Sequence, residues 1–283
     1  MFRGLILIGF TYFIMHLHTS GDISKYINMK YAYLSFSAMI ALGLLAIVQI
    51  IIVAKEDHAV TECGVDCCDH SHDDEQKWYK KLYVYPLFVF PIISGLFFPV
   101  ATLDSNIVKA KGFHFPIYEE GEADPYAQQQ FLRPDTSVYY GAEAYDKLMK
   151  KEKNKYLSKE KIEITDGNYM NTMETIYNFP GEFLGKEIEM KGFVFNDAET
   201  VEKNQLFIFR FGIIHCIADS GVFGMLVDMP EGVKLKNDNW IEVKGEISNV
   251  YYQPFKATIP MIKVKEWKTV GAPEDEYVYR KSI

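Results

Sequence analysis

Apolar residues are unevenly spread along the 283 positions of this chain. Tyr31 to Ala54 runs for 24 residues without a charge, and Leu82 to Leu103 runs for 22. Wound as α-helix at about 1.5 Å per residue, either run reaches across a hydrocarbon layer of about 30 Å. The second contains Pro86, Pro91, Gly95 and Pro99. A membrane helix tolerates prolines where neighbours re-satisfy the freed carbonyls, so a kinked, packed span is predicted. Phe2 to Leu17 is shorter, carries His16, and has only Arg3 as an n-region charge. By length a signal peptide or an interfacial helix competes with a span, but the run lacks a small-residue cleavage site after the apolar stretch, and an uncleaved first span is favoured. Predicted spans therefore cover about 2–18, 31–54 and 82–103, within a transmembrane region 1–103. His16 and His18 are read as interface residues rather than ligands, because two residues apart on a helix they point in different directions.

Beyond residue 103 the pattern turns polar and mixed. Residues 104–136 show no sustained periodicity, contain Pro116, Pro125 and Pro134, and read as an extended linker. Ser137 then offers an N-cap, with Val138, Ala142, Tyr145 and Met149 recurring at helical spacing up to the KKEKNK run, so an amphipathic helix closes a linker region 104–160. Over 161–283 a compact module is expected. It begins with a short strand at Ile162 to Thr165, followed by a helix capped by Asp166 or Asn168. That helix buries Met170, Met173, Ile176 and Tyr177 and stops at Pro180-Gly181. Ile188, Met190, Gly192 and Val194 alternate with polar positions, as do Ile241, Val243, Gly245 and Ile247, which is the period of a half-buried strand. The glycines mark places where a strand must bend. Further strands are expected at 205–216, 222–228 and 258–269. Five strongly bent strands without intervening helices predict a small OB-like β-barrel, with a sandwich as the alternative. The fold class is thus a membrane-anchored α+β protein, with N-terminal transmembrane helices followed by a soluble region of helices and an OB-like β-barrel.

Composition changes this picture in two ways. A formal charge of -8, with no basic aromatic face on the strands, argues against nucleic acid as a partner. Lys and Arg near the spans divide five against four. That excess favours a cytoplasmic start, a cytoplasmic loop at 55–81 and an extracytoplasmic C-terminal module in a multi-pass cell-membrane protein. The loop is chemically unusual: His58, Cys63, Cys67, Cys68, His70 and His72 fall within fifteen residues, about a tenfold excess over simple proportion. Thiolate and imidazole suit Zn or another transition metal, and the loop's surplus of carboxylates would compensate the cation. C-x₃-C-C-x-H-x-H is not a zinc-finger spacing, so a flexible chelating or sensing loop is expected rather than a rigid cage. The competing reading is an acidic connector with incidental or redox-reactive thiols.

Within the C-terminal module, RFGIIHCIADSG places His215, Cys216 and Asp219 at a strand end, where a bulge could turn them towards one point. In an unbroken strand His215 and Cys216 would face opposite sides. Cys216 alternates with Ile208 and Ile214, so a buried core thiol competes with a site, and Arg210 is a candidate ion-pair partner for Asp219. The sequence holds no phosphate loop, Ser-His-Asp order, paired catalytic carboxylates or H-E-x-x-H, so no catalytic residue is assigned and the chain is read as a non-enzyme.

The apolar N-terminal runs, the acidic Cys/His loop, the run RFGIIHCIADSGVFGMLV, the W-x-x-V-x-G-x-I strand and the closing P-x-x-E-Y-V-Y of Pro273 to Tyr279 resemble the YcgQ-type bacterial membrane proteins. These carry the provisional label of permease subunits. The family tends to carry Cys-Cys where this chain has His215-Cys216, which keeps a ligand but not a dithiol. The resemblance implies a companion polytopic permease with this chain as its accessory subunit in the lipid bilayer, and implies no substrate. Two rival functions stay open at this stage: a cell-surface binding module acting through the barrel, and a thiol-based redox sensor.

Overall fold

A computed structural model describes residues 2–62, 78–98, 100, 102–113, 141–201 and 203–280. The chain divides into two compact units, Met1–Thr102 and Leu103–Ile283.

The first unit holds three helices, α1 (Phe2–Ser20), α2 (Ala32–Glu62) and α3 (Trp78–Phe97). Met29–Lys55 is long and apolar enough to cross a membrane, and little of it is buried within the protein. Leu44, Ile47 and Val48 are all more than half exposed. In α3 only Tyr83–Phe97 forms an uninterrupted apolar stretch. The helix retains Pro86 and Pro91 in its interior but stops at Phe97 rather than continuing to Leu103, as the sequence predicts. Glycines let α1 and α3 interlock. A Cβ on Gly95 would lie 2.4 Å from the Phe13 ring, and one on Gly9 would lie 2.9 Å from Ile92. Each helix therefore offers a glycine notch to a large side chain of the other, the close approach that small residues permit between helices. At the far end of α1, His18 Nε2 lies 2.8 Å from Ser35 Oγ on α2, while the His16 ring stacks on Tyr12 of its own helix.

The second unit opens with a helix the sequence reading misses. Residues 104–113, expected as extended linker, contain α4 (Ser105–Lys111). Asp104 caps it by accepting from the amides of Asn106 and Ile107, and Lys109 and Lys111 complement the dipole in its last turn. Ser105 donates to Asp238 through both its amide and its hydroxyl, and Val108 is fully buried. Seven residues are too few to show a periodic stripe, so the signal lay in the cap and was outweighed by the prolines that follow. The amphipathic helix is α5 (Ala142–Leu157). Its N-cap is Gly141, and Tyr145, Leu148 and Met149 are its buried face; Ser137 and Val138 lie outside the described residues.

The module then runs β1 (Lys161–Glu163), α6 (Tyr169–Asn178), α7 (Pro180–Phe183), β2 (Glu187–Phe195), β3 (Gln205–Ile213), β4 (Gly221–Asp228), β5 (Trp240–Tyr252), β6 (Ala257–Thr269) and β7 (Tyr277–Tyr279). Alternation produces β2 and β5 as predicted: Met190 lies opposite Val243 and Gly192 opposite Ile241, and Ile188, Met190, Val194, Ile241 and Val243 are all buried. Together the strands form one seven-stranded sheet in the order β1-β2-β5-β6-β4-β3-β7. A further ladder from Phe193↔Phe209 to Phe195↔Phe207 joins β3 to β2, so the path of hydrogen-bonded neighbours returns to β2. Four of the seven pairings among the described residues are antiparallel, while β1–β2, β4–β6 and β3–β7 run parallel. Gly245 sits at a register shift in the β5–β6 ladder, where a Cβ would come within 2.2 Å of the Lys263 carbonyl oxygen. A strand bends there because a side chain cannot fit. β7, three residues long and parallel to β3, is too short to read from alternation.

The outward face of β1, β2, β5 and β6 is laced with charge pairs. Glu189 binds Lys161 at 2.8 Å and Lys244 at 3.4 Å, Lys265 reaches Glu187 and Glu246, and Lys268 reaches Glu242. The Lys161 hydrogen bond holds the Glu189 carboxyl below its ordinary range. A carboxylate lowered on folding contributes stability that is present above its unfolded pKa and is lost as pH falls through its folded pKa. Glu189→Gln is expected to leave stability nearly unchanged at about pH 3 and to lower it modestly at about pH 7, by less than about 1 kcal/mol because the partners are solvated. Urea midpoints of both proteins at the two pH values check this.

Candidate functional site

β3 ends at Ile213, three residues before the predicted end of the strand, and Ile217–Asp219 wind into a 3₁₀ turn. This break brings His215, Cys216 and Asp219 together. The Asp219 carboxylate accepts from the His215 amide at 3.1 Å and the Cys216 amide at 3.0 Å, and lies 2.7 Å from His215 Nδ1. Cys216 caps the turn, its side chain accepting from the Asp219 amide while Asp219 reaches back, a reciprocal capping box. The three candidate residues thus form one knot whose hydrogen bonds shape the turn. Cys216 is half-buried, not a core thiol, because it sits past the end of β3, whose residues Leu206 to Ile213 are all buried.

Arg210 does not meet Asp219. It is fully buried in β3, and its Nη1 donates to Asp166 Oδ1 at 2.6 Å. Nε donates to the Glu276 carbonyl and Nη2 to those of Asp275 and Tyr277. The guanidinium also lies 5.2 Å from the centre of the Trp240 ring and 5.7 Å from that of Tyr169. Sequence spacing suggested the wrong carboxylate because Asp166 is remote in the chain and arrives only through folding. What Arg210 holds is the segment before and within β7, so the closing motif is tied down by main-chain oxygens that no sequence pattern advertises.

A second buried charge works on the same segment. Arg280, immediately after β7, forms an ion pair with Glu174 of α6, and both side chains are almost wholly buried. On the same helix the Tyr177 hydroxyl donates to the Gly224 carbonyl at 2.6 Å and accepts from the Gly224 amide at 2.8 Å. Burial pushes the Tyr177 and Tyr169 phenols well above the ordinary tyrosine range, so both stay neutral. Glu174 and Arg280 were missed as functional positions. The one available signal was a glutamate among the buried positions Met170, Met173, Ile176 and Tyr177.

Of the predicted metal ligands, His58 lies on α2, and Cys63, Cys67, Cys68, His70 and His72 lie outside the described residues. Among the described residues no group of three or more His, Cys, Asp or Glu could hold a metal ion. His215, Cys216 and Asp219 fall short because the carboxylate is already committed to two main-chain amides and the His215 ring.

Residues 2–114 match the DUF1980 N-terminal domain and residues 139–280 the DUF1980 C-terminal domain. The chain is 53% identical over 99% of both lengths to the UPF0703 protein YcgQ of Bacillus subtilis (strain 168). It is 37% identical, again over 99% of both, to a Streptococcus mutans (serotype c, strain ATCC 700610 / UA159) protein provisionally named as a two-component membrane permease complex subunit.

Proposed function

Because the chain belongs to the DUF1980 family, we propose that it is the membrane-anchored accessory subunit of a two-component permease complex. The observation that carries this reading is the apolar helix Met29–Lys55, largely unburied in a chain similar over nearly its whole length to a protein named for such a complex. A span whose leucines and isoleucines face outward needs lipid or a membrane partner as solvent. In this reading α1 and α3 cross beside it, a polytopic permease is the partner, and the subunit itself catalyses no reaction.

The C-terminal unit works as an OB-like barrel outside the cell. Support comes from the ring of pairings β2–β5–β6–β4–β3, with the parallel β4–β6 contact inside it, and from the Lys and Arg count that sets orientation. The cytoplasmic loop bearing Cys63, Cys67, Cys68, His70 and His72, together with His58 near the end of α2, takes up Zn or another transition metal. The density of soft ligands in the sequence is the support for that assignment.

Three measurements test these parts separately. The chain should stay in the pellet on alkaline carbonate washing, and its release would end the membrane reading. In a C63S/C67S/C68S background, a membrane-impermeant maleimide should label Cys216 in intact cells; labelling only after lysis would reverse the orientation. Purified full chain should bind Zn(II) under reducing conditions more tightly than the variant with all six loop ligands replaced by Ser, and equal affinity would remove the metal.

A further inference from the structure

Where α5 ends and β1 begins, the C-terminal unit carries an open, polar cleft of about 390 Å³, walled by Tyr156 and the β1–α6 turn and rimmed by Lys155, Lys159 and Lys161. Three lysines line this one cleft on a chain whose net charge is -8. The end of a helix ordinarily attracts lysines, because its last carbonyls are unpaired and carry partial negative charge. Here that demand is met from elsewhere: Lys186 Nζ donates to the carbonyls of Tyr156, Leu157 and Lys159 at 2.8–2.9 Å. The rim lysines are not needed for that cap. Lys155 pairs with the buried Glu152 and Lys161 with Glu189, while Lys159 lies over the Tyr156 ring, 5.5 Å from its centre, with no carboxylate partner among the described residues. Glu163 is the one acidic residue of the lining.

The floor is fixed before any ligand arrives. Asn168 accepts from the Thr165 amide at 2.8 Å and donates to the Glu163 carbonyl at 3.0 Å, which pins the turn. The Tyr156 hydroxyl is 2.8 Å from that of Thr172, which pins the wall. The exposed Thr165 side chain adds a neutral hydroxyl donor beside the ammonium groups.

We propose that this cleft binds a small phosphate ester, its phosphate oxygens meeting Lys159 and Lys161 and its polyol portion meeting the polar floor. A bare phosphate would underfill the volume, whereas a glycerol-sized ester matches the lower end of ordinary ligand pockets. Lysine suits this ligand as a point charge, where a planar carboxylate would favour the fork of arginine. The inference draws only on the C-terminal unit and does not rest on the permease reading. Its chemistry is shared by a soluble glycerol phosphate and by the headgroup of phosphatidylglycerol.

The test uses the full chain in neutral detergent, titrated calorimetrically with glycerol 3-phosphate, and in nanodiscs with and without phosphatidylglycerol. The variant is K159E/K161Q, with K256E as a charge-reversing control on an exposed lysine elsewhere; melting temperatures verify that both are folded. Saturable binding of glycerol 3-phosphate, weakened about tenfold or more in K159E/K161Q and unchanged in K256E, supports the site with a soluble ligand. The same variant pattern seen only as stabilisation by phosphatidylglycerol supports it with a lipid headgroup. Absence of binding in both formats, or equal loss in both variants, overturns it and leaves a solvated notch.

Discussion

Gly224→Ala is expected to cost the C-terminal unit about 3 kcal/mol or more, at the upper end of what overpacking a core does. Gly224 lies in the middle of β4 opposite Phe209, and an added Cβ would stand 1.8 Å from the Ile208 carbonyl oxygen and 2.8 Å from its carbon. Those are main-chain atoms of the neighbouring strand, so relief requires β3 to move away from β4. The same movement would pull Gly224 from the Tyr177 hydroxyl that bridges its amide and carbonyl. Gly212→Ala should be milder. Its Cβ meets the Phe223 ring at 2.6 Å and the Met170 methyl at 3.0 Å, side-chain atoms that can rotate. Gly181→Ala, with nothing within 4 Å, should be neutral or slightly stabilising. Chemical denaturation of the three variants checks the ranking; a Gly224→Ala protein as stable as Gly212→Ala would contradict the assigned close approach.

The second large effect concerns the buried pair. Arg280→Ala leaves the Glu174 carboxylate in an interior where the guanidinium was its countercharge, and the expected loss is about 3–5 kcal/mol. Replacing both residues, as Glu174→Leu with Arg280→Met, should recover much of it, because two apolar groups of similar volume need no desolvated charges. The double substitution separates charge burial from packing. If it is as damaging as the single one, Arg280 acts by filling space. Lowering pH should rescue Arg280→Ala in part, since a stranded carboxylate can take up a proton, and the wild type should show no such gain. Midpoints in guanidinium at several pH values distinguish these outcomes. Because Arg210 and Arg280 grip the two ends of one short segment, Arg210→Ala should expose the chain around β7 to proteolysis before the rest of the module.

The resemblance to YcgQ-type proteins, carried by a few quoted runs, agrees with the 53% identity to the Bacillus subtilis relative.

Several elements were written into local sequence. Uncharged apolar runs made α1, α2 and α3 helices, because each residue added to a helix satisfies its own backbone groups. Alternation of period two made β2 and β5, with Gly192 and Gly245 marking close approaches of neighbouring backbone. The Asp166-to-Asn168 turn signalled the start of α6. Other features depended on residues distant in the chain. The ends of α3 and β3, the 3₁₀ turn that gathers His215, Cys216 and Asp219, and the strand β7 are set by what packs against them. Arg210 chose Asp166 over the nearer Asp219, and Glu174 became a partner for Arg280 more than a hundred positions away. Local pattern fixes which faces are apolar and which backbone geometry is favoured. Which charge meets which is settled only when the strands pair, because only then do carboxylates remote in the chain come within contact distance of the buried guanidinium groups.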